Sequence, residues 1–230
     1  MRNPVLERVR ERATHKPVPL EVVPPLPFDA PRGSAEAVER LLAAWAELGV
    51  QAVRCPNELE AFRELVARLR ERKVQNVLVD SRTARAYPGL IEAIEGAQLR
   101  AISGALPQEE SSRYTELRHW ATAEAGVTDV VAAFADSGTL WVAGGPGGMR
   151  CASLLPTLHI ALVRQSQVYP CMAKWLAEAR ASGELQKWVE ESSTLIAITG
   201  PSRTTDIEKT LVLGVHGPRE VIAILIEEAL

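Results

Sequence analysis

The sequence predicts an α/β fold: a Rossmann-like, mostly parallel sheet with helices on both faces. Helical and strand-like segments alternate at short spacing from residue 34 onward, the rhythm of a parallel sheet covered on both sides. Val221 to Ile226 is an unbroken apolar run, as a central parallel strand requires. Of the 230 residues, 47% are apolar, which suffices for a sizeable core.

The elements follow in chain order. Residues 1–16 suit a short amphipathic helix, and residues 17–33 carry six prolines, so 1–33 reads as an N-terminal helix and Pro-rich arm. Residues 34–230 read as a single α/β domain. Ser34 is a helix cap; Val38, Leu41, Leu42, Trp45 and Leu48 share one face, and Gly49 stands where a C-cap glycine belongs. Val50 to Val53 is a short strand. Asn57 and Glu60 have capping-box spacing ahead of an apolar face of Leu59, Phe62, Leu65, Val66 and Leu69. Val74 to Val79 is a buried strand ending at Asp80-Ser81, followed by a helix over 88–95, a strand over 97–102 and a helix over 109–124.

Val127 to Ala135 and Thr139 to Ala143 are apolar runs joined by Asp136-Ser137-Gly138, a tight connection or hairpin. The glycine-rich stretch 144–148 has neither the Lys-Ser/Thr end of a P-loop nor a G-x-G-x-x-G pattern, and reads as a flexible connection. Leu158 to Val163 is a strand, 170–190 is helical with a break at Ser182-Gly183, and Thr194 to Thr199 is a strand.

The formal net charge of −3 gives no basis for nucleic-acid binding. Cys55, Cys151 and Cys171 form no C-x-x-C pair, which argues against a cluster or structural zinc in this chain. Their sparse, odd count fits a reducing compartment. No secretory h-region or run of about 20 apolar residues is present, so a cytoplasmic location without a membrane span is expected.

The chemistry-bearing stretch is Gly200 to Glu208. If Leu195 to Thr199 is a parallel strand, the chain leaves its carboxyl end at Gly200-Pro201, where open α/β sheets bind ligands. Ser202, Arg203, Thr204 and Thr205 then supply hydroxyls and a guanidinium. Thr205 and Glu208 have capping-box spacing, predicting a helix start that can hold a carboxylate or phosphate. The same residues read equally as ordinary caps and a surface arginine, with Asp206 either pairing with Arg203 or favouring the helix dipole. His159 and His216 are candidate acid–base groups, or a satisfied buried histidine and a turn residue. Asp136, Ser137 and Thr139 can present a carboxylate and hydroxyls, or form a plain turn. No spacing demands a metal site.

Taken together, Gly200-Pro201-Ser202-Arg203-Thr204-Thr205-Asp206-Ile207-Glu208 and Leu211-Val212-Leu213-Gly214-Val215-His216-Gly217-Pro218 resemble the C-terminal signature of the LUD-domain family. Within it the lactate-utilisation protein C type is most similar. Ala123 to Asp129, Ala135 to Leu140 (with Ser137 where threonine is expected) and Leu154 to Ile160 resemble further family segments, so the likeness runs from about 120 to 227. It implies a fold similar to the sugar-phosphate isomerase and coenzyme A-transferase superfamily. It also implies a place in a system that oxidises L-lactate to pyruvate with two iron–sulfur partner proteins. On that reading the clusters lie on the partners, this chain carries no cofactor, and a small organic-acid anion binds near 200–208. The catalytic candidates are Asp136, His159 and His216; the substrate-binding candidates are Ser137, Thr139, Gly200, Ser202, Arg203, Thr204 and Asp206. Whether the chain is itself an enzyme stays open. An autonomous isomerase or acyl-transferase and a non-catalytic assembly subunit are the alternatives.

Overall fold

The structure is a computed structural model that describes residues 28–104, 107, 109–145, 149–205 and 211–227. The predicted N-terminal helix and most of the Pro-rich arm therefore lie outside the described residues, as do Asp206 and Glu208.

The first helix, α1 (Ala35–Leu48), is capped as its sequence dictates. Ser34 Oγ accepts a hydrogen bond from Ala37 N at 3.3 Å, and Gly49 takes the left-handed conformation (φ 77°). Strand β1 (Gln51–Cys55) follows, then α2 (Glu58–Glu71), whose cap Asn57 accepts from Glu60 N at 3.0 Å. Phe62, Leu65 and Leu69 are buried, but Leu59, predicted for the same face, is 60% exposed. Strand β2 (Asn76–Val79) runs into α3 (Ser81–Ala86), a one-and-a-half-turn helix absent from the sequence expectation; α4 (Leu90–Gly96), β3 (Arg100–Ile102) and α5 (Glu110–Trp120) come next.

The apolar run 127–135 is divided between two sheets. Its first part belongs to β4 (Ala125–Asp129) and its second to β5 (Ala132–Phe134). Strand β5 forms the expected hairpin with β6 (Thr139–Gly144), closed by Gly138 N donating to Phe134 O at 2.8 Å. Then come β7 (Leu158–Arg164), β8 (Val168–Tyr169), α6 (Met172–Ser182), α7 (Glu184–Glu191), β9 (Thr194–Ile198), β10 (Arg203–Thr205), β11 (Leu211–Leu213) and β12 (Glu220–Ile226). Gly183 (φ 76°) breaks α6 from α7 as predicted.

Among the described residues, six strands form one parallel sheet in the order β1-β12-β7-β4-β2-β3. Strand β12 sits between β1 and β7, and Val221 to Ile226 are buried, each large apolar side chain contributing about 1.5–3 kcal/mol. On one face, Val127, Ile160 and Ile224 pack under α2 and α4. On the other, Ala161, Val163 and Leu225 meet Val38, Leu41 and Trp45 of α1 and Leu140 and Val142 of β6. Leu78 and Ile102 meet Trp120 of α5 on the side formed with Met149 and Ala152. Helices thus lie on both faces, as predicted. One face also carries a second, unforeseen sheet, β8-β5-β6-β9. An edge-on cluster (Phe134–Trp141 at 5.3 Å, Trp141–Trp175 at 4.9 Å) ties that sheet to α6.

Two expectations need correction. The strand at 194–198 is not part of the parallel sheet: it pairs antiparallel with β6, Trp141 opposite Ala197. Thr205, predicted to cap a helix, ends strand β10 (Arg203–Thr205), which pairs antiparallel with β11; residues 206–210, where that helix would run, lie outside the described residues.

Candidate functional site

The two edges of the parallel sheet differ in chemistry. At the amino edge, Thr139, Gly200 and Arg203 gather round the C-terminus of α1. Arg203 Nη2 donates to Leu48 O at 2.7 Å. Gly200 (φ 116°) lies so close that a Cβ would stand 3.2 Å from the same carbonyl. Thr139 Oγ1 and Thr199 Oγ1 are 3.0 Å apart. Trp45 Nε1 donates to Gly138 O at 3.0 Å, fixing the hairpin turn against α1. Asp136 and Ser137 are exposed at its tip. Ser202 N donates to Pro218 O at 2.8 Å and its carbonyl accepts from Gly214 N at 2.9 Å, so Ser202 holds the 214–218 turn, on which His216 is exposed. Thr204 lies on β10 opposite Val212.

This clustering has a structural cause. The last carbonyls of a helix are unsatisfied and carry the negative end of its dipole. Arg203 supplies the donor and the compensating charge. At Gly200 to Arg203 the neighbouring helix end is therefore a C-terminus, whose field repels an anion.

His159 stands apart, in the core beneath the sheet's second face. It is fully buried, with Nε2 2.8 Å from Thr128 Oγ1 and no partner at Nδ1. Burial pulls its pKa down from 6.5 to about 4, so the ring is neutral at physiological pH. The enclosed, neutral ring fits the buried-histidine alternative of the sequence reading.

The carboxyl edge holds the groups that sequence reasoning missed. From β2 the chain turns through α3 and α4 to β3; from β4 it turns the other way, through the second sheet, to β7. The crevice between the carboxyl ends of β2 and β4 is thus a topological switch point, where open α/β sheets take ligands. Asp80, the residue after β2, is buried. Its Oδ1 accepts from Arg82 N (2.7 Å) and Thr83 N (3.1 Å), and its Oδ2 from Met149 N. Burial raises its pKa, and these three N–H bonds oppose the rise. Thr83 Oγ1 in turn accepts from Asp129 N at 2.6 Å, locking α3 to the end of β4.

Asp129 Oδ1 accepts from Tyr87 Oη at 3.4 Å and Gln167 Nε2 at 3.2 Å. Arg164 stacks 4.0 Å over the Tyr87 ring and bonds Glu58 and Ala86 O, which fixes this side of the network. Desolvation raises the Asp129 pKa, against the bond from Gln167 and the charge of Arg164. A buried carboxyl with a raised pKa in a cleft marks a candidate functional residue. Beside it opens a cavity of about 310 Å³ that Asp129 lines together with Arg82, Arg85, Lys187, Trp188, Glu184 and Glu191. Arg82 lies 4.8 Å over the Trp188 ring, and Trp188 Nε1 donates to Glu184 at 3.1 Å. Among the described residues, Arg82, Arg85 and Lys187 form no ion pair. The sequence signal for this site was the strand ending at Asp80-Ser81, had the carboxyl-end rule been applied there.

The cysteines do not fit a cluster. Cys55 is buried under α2, where its thiol is pushed up to about 11; Cys151 packs beside Trp120, and Cys171 is buried ahead of α6. Among the described residues no three His, Cys, Asp or Glu side chains group as a metal would require, and no helix is long and apolar enough to cross a membrane.

Comparison with known proteins places this geometry. The LUD domain family model matches residues 38–226. Lactate utilization protein C of an Exiguobacterium species is 37% identical over 124 residues, 53% of this chain and 50% of that protein. The protein of the same name from Halalkalibacterium halodurans is 38% identical over 109 residues (46% and 45%), and that from Bacillus subtilis 37% over 106 residues (46% and 43%). The match thus spans about half the length of these curated relatives. A crystal structure of a DUF162 family protein from Deinococcus radiodurans shares the fold, with TM-score 0.52, 19% identity, and coverage of 86% of this chain and 99% of that one. With the family pattern matched from the start of α1 to the end of β12, the chain belongs to the LUD-domain family.

Proposed function

We propose that this chain is a component of a cytoplasmic L-lactate oxidation system, working with iron–sulfur partner proteins that carry the clusters, and that it handles a small organic-acid anion. The observation that carries this reading is the family match over 38–226, together with relatives named for lactate utilisation at 37–38% identity. The anion belongs at the carboxyl edge rather than at 200–208, where Arg203 is committed to the end of α1.

Deletion of the gene is expected to abolish growth on L-lactate, with restoration by the intact gene. Affinity purification of the tagged chain from lactate-grown cells is expected to bring down proteins with iron–sulfur absorption. Normal growth of a deletion strain lacking any other lactate oxidase would refute the reading.

A further inference from the structure

The carboxyl-edge crevice brings three cations and a partly buried carboxyl to one cavity. It lies where the chain leaves β2 and β4 in opposite directions. Its wall and floor are fixed from below: Asp80 binds the first turn of α3 and the residue-149 amide, and Thr83 binds the Asp129 amide. Arg82 and Arg85 stand three residues apart on α3, on one side of the helix. Lys187 comes from α7 across the cavity. Arg82 is oriented by the Trp188 ring beneath it, which leaves a planar guanidinium for bidentate contact with a carboxylate.

Among the described residues, the cavity's acids Asp129, Glu184 and Glu191 form no ion pair with its cations. Glu184 takes the Trp188 indole N–H. Asp129 has one carboxyl oxygen held by Tyr87 and Gln167, while the residue lines the cavity. A partly buried carboxylate facing a polar cavity gains from a ligand that donates a hydrogen bond. Cations and a buried acceptor in one cavity thus select two features in one ligand.

We propose that this crevice is the ligand site of the chain, and that it takes a small acid bearing both a carboxylate, held by Arg82, Arg85 and Lys187, and a hydroxyl or ammonium donor, received by Asp129. The assignment rests on the organic-acid reading above for the size and class of ligand. It adds which residues hold the ligand and why a plain carboxylate is insufficient.

Isothermal titration of the full chain with L-lactate, L-alanine, pyruvate and propionate tests it, because these acids differ only in the group beside the carboxylate. L-lactate or L-alanine is expected to bind at least about 10-fold more tightly than propionate, the two distinguishing hydroxyl from ammonium. Arg82→Gln is expected to weaken binding of every acid by roughly 10- to 100-fold, as loss of a hydrogen bond to a charged group does. Asp129→Asn is expected to bring the L-lactate (or L-alanine) to propionate ratio close to one. Circular dichroism confirms the fold of each variant, and Arg82→Gln and Lys187→Ala carry the test if Asp129→Asn fails to fold. Equal affinity for all four acids, no binding of any, or affinities untouched by Arg82→Gln and Lys187→Ala would overturn the proposal. If the deletion strain fails on L-lactate while the pure chain binds no acid, only the crevice assignment falls. If the strain grows normally while the crevice binds as described, only the lactate reading falls.

Discussion

Acid titration of stability reads the burial of His159 directly. In the native state the ring is enclosed, touching Thr128 and nothing else polar, and its pKa is about 4 against 6.5 in an open chain. Between those values the unfolded chain takes up a proton that the native chain refuses. Stability is therefore fully present above pH 6.5, falls as the pH drops towards 4, and levels off below it. At roughly 1.4 kcal/mol per pH unit the whole effect is about 3 kcal/mol, of which about 2 kcal/mol is lost by pH 5. Urea denaturation of the parent chain and of His159→Gln, at steps from pH 7.5 to 4.5, isolates it. The buried carboxyls Asp80 and Asp129 have raised pKa values and act with the opposite sign, but they are common to both chains and cancel in the difference. The parent is expected to lose about 2 kcal/mol more than the variant on going from pH 7.5 to 5. Equal losses, or an imidazole signal from His159 titrating near 6.5, would refute the burial argument and reopen a proton-transfer role.

Other substitutions test other joints of the structure. Gly126→Ala would place a Cβ 1.8 Å from Ala152 O, so the backbone beside β4 must move; a loss of about 3 kcal/mol is expected, seen as a thermal midpoint roughly 6–12 °C lower. Trp45→Phe strands the Gly138 carbonyl at the hairpin turn, and denaturant titration should show a loss of about 1–3 kcal/mol. Arg203→Met keeps the stem but removes the donor to Leu48 O; about 1 kcal/mol should be lost in the same assay, whereas an arginine that served only a ligand would leave stability unchanged.

The helix–strand alternation was legible wherever local chemistry decides the outcome. Ser34, Asn57 and Gly49 cap their helices as their residue types predict, Gly183 breaks α6 from α7, and the run 221–226 is the central strand it resembles. Pairing partners were not legible, because a strand's neighbours are set by contacts distant in sequence. The run Val127 to Ala135 is apolar but for Thr128 and Asp129, yet Asp129 ends one sheet and Ala132 begins another. Leu195 to Ile198 has the composition of a buried parallel strand. It instead lies half-covered against β6, in a second sheet whose existence depends on α1, α6 and the aromatic cluster around Trp141.

The shift of the candidate site to the other edge follows from that one pairing. A strand assigned to the parallel sheet points its carboxyl end at the ligand edge, so Gly200 to Arg203 inherited an anion-binding role from the presumed direction of residues 194–199. With β9 antiparallel to β6, the same residues emerge beside the last turn of α1, where the field has the opposite sign and arginine is a cap. The carboxyl-end rule itself survives the correction. Applied to strands that do run in the parallel sheet, it selects Asp80 and Asp129, the residues at the ends of β2 and β4. Those are also the two aspartates whose burial raises their pKa values. Topology and electrostatics, read independently, converge on one crevice. The switch point could not be read before the strand order was known, because the sequence shows that Asp80 follows a strand but not which strand lies beside it.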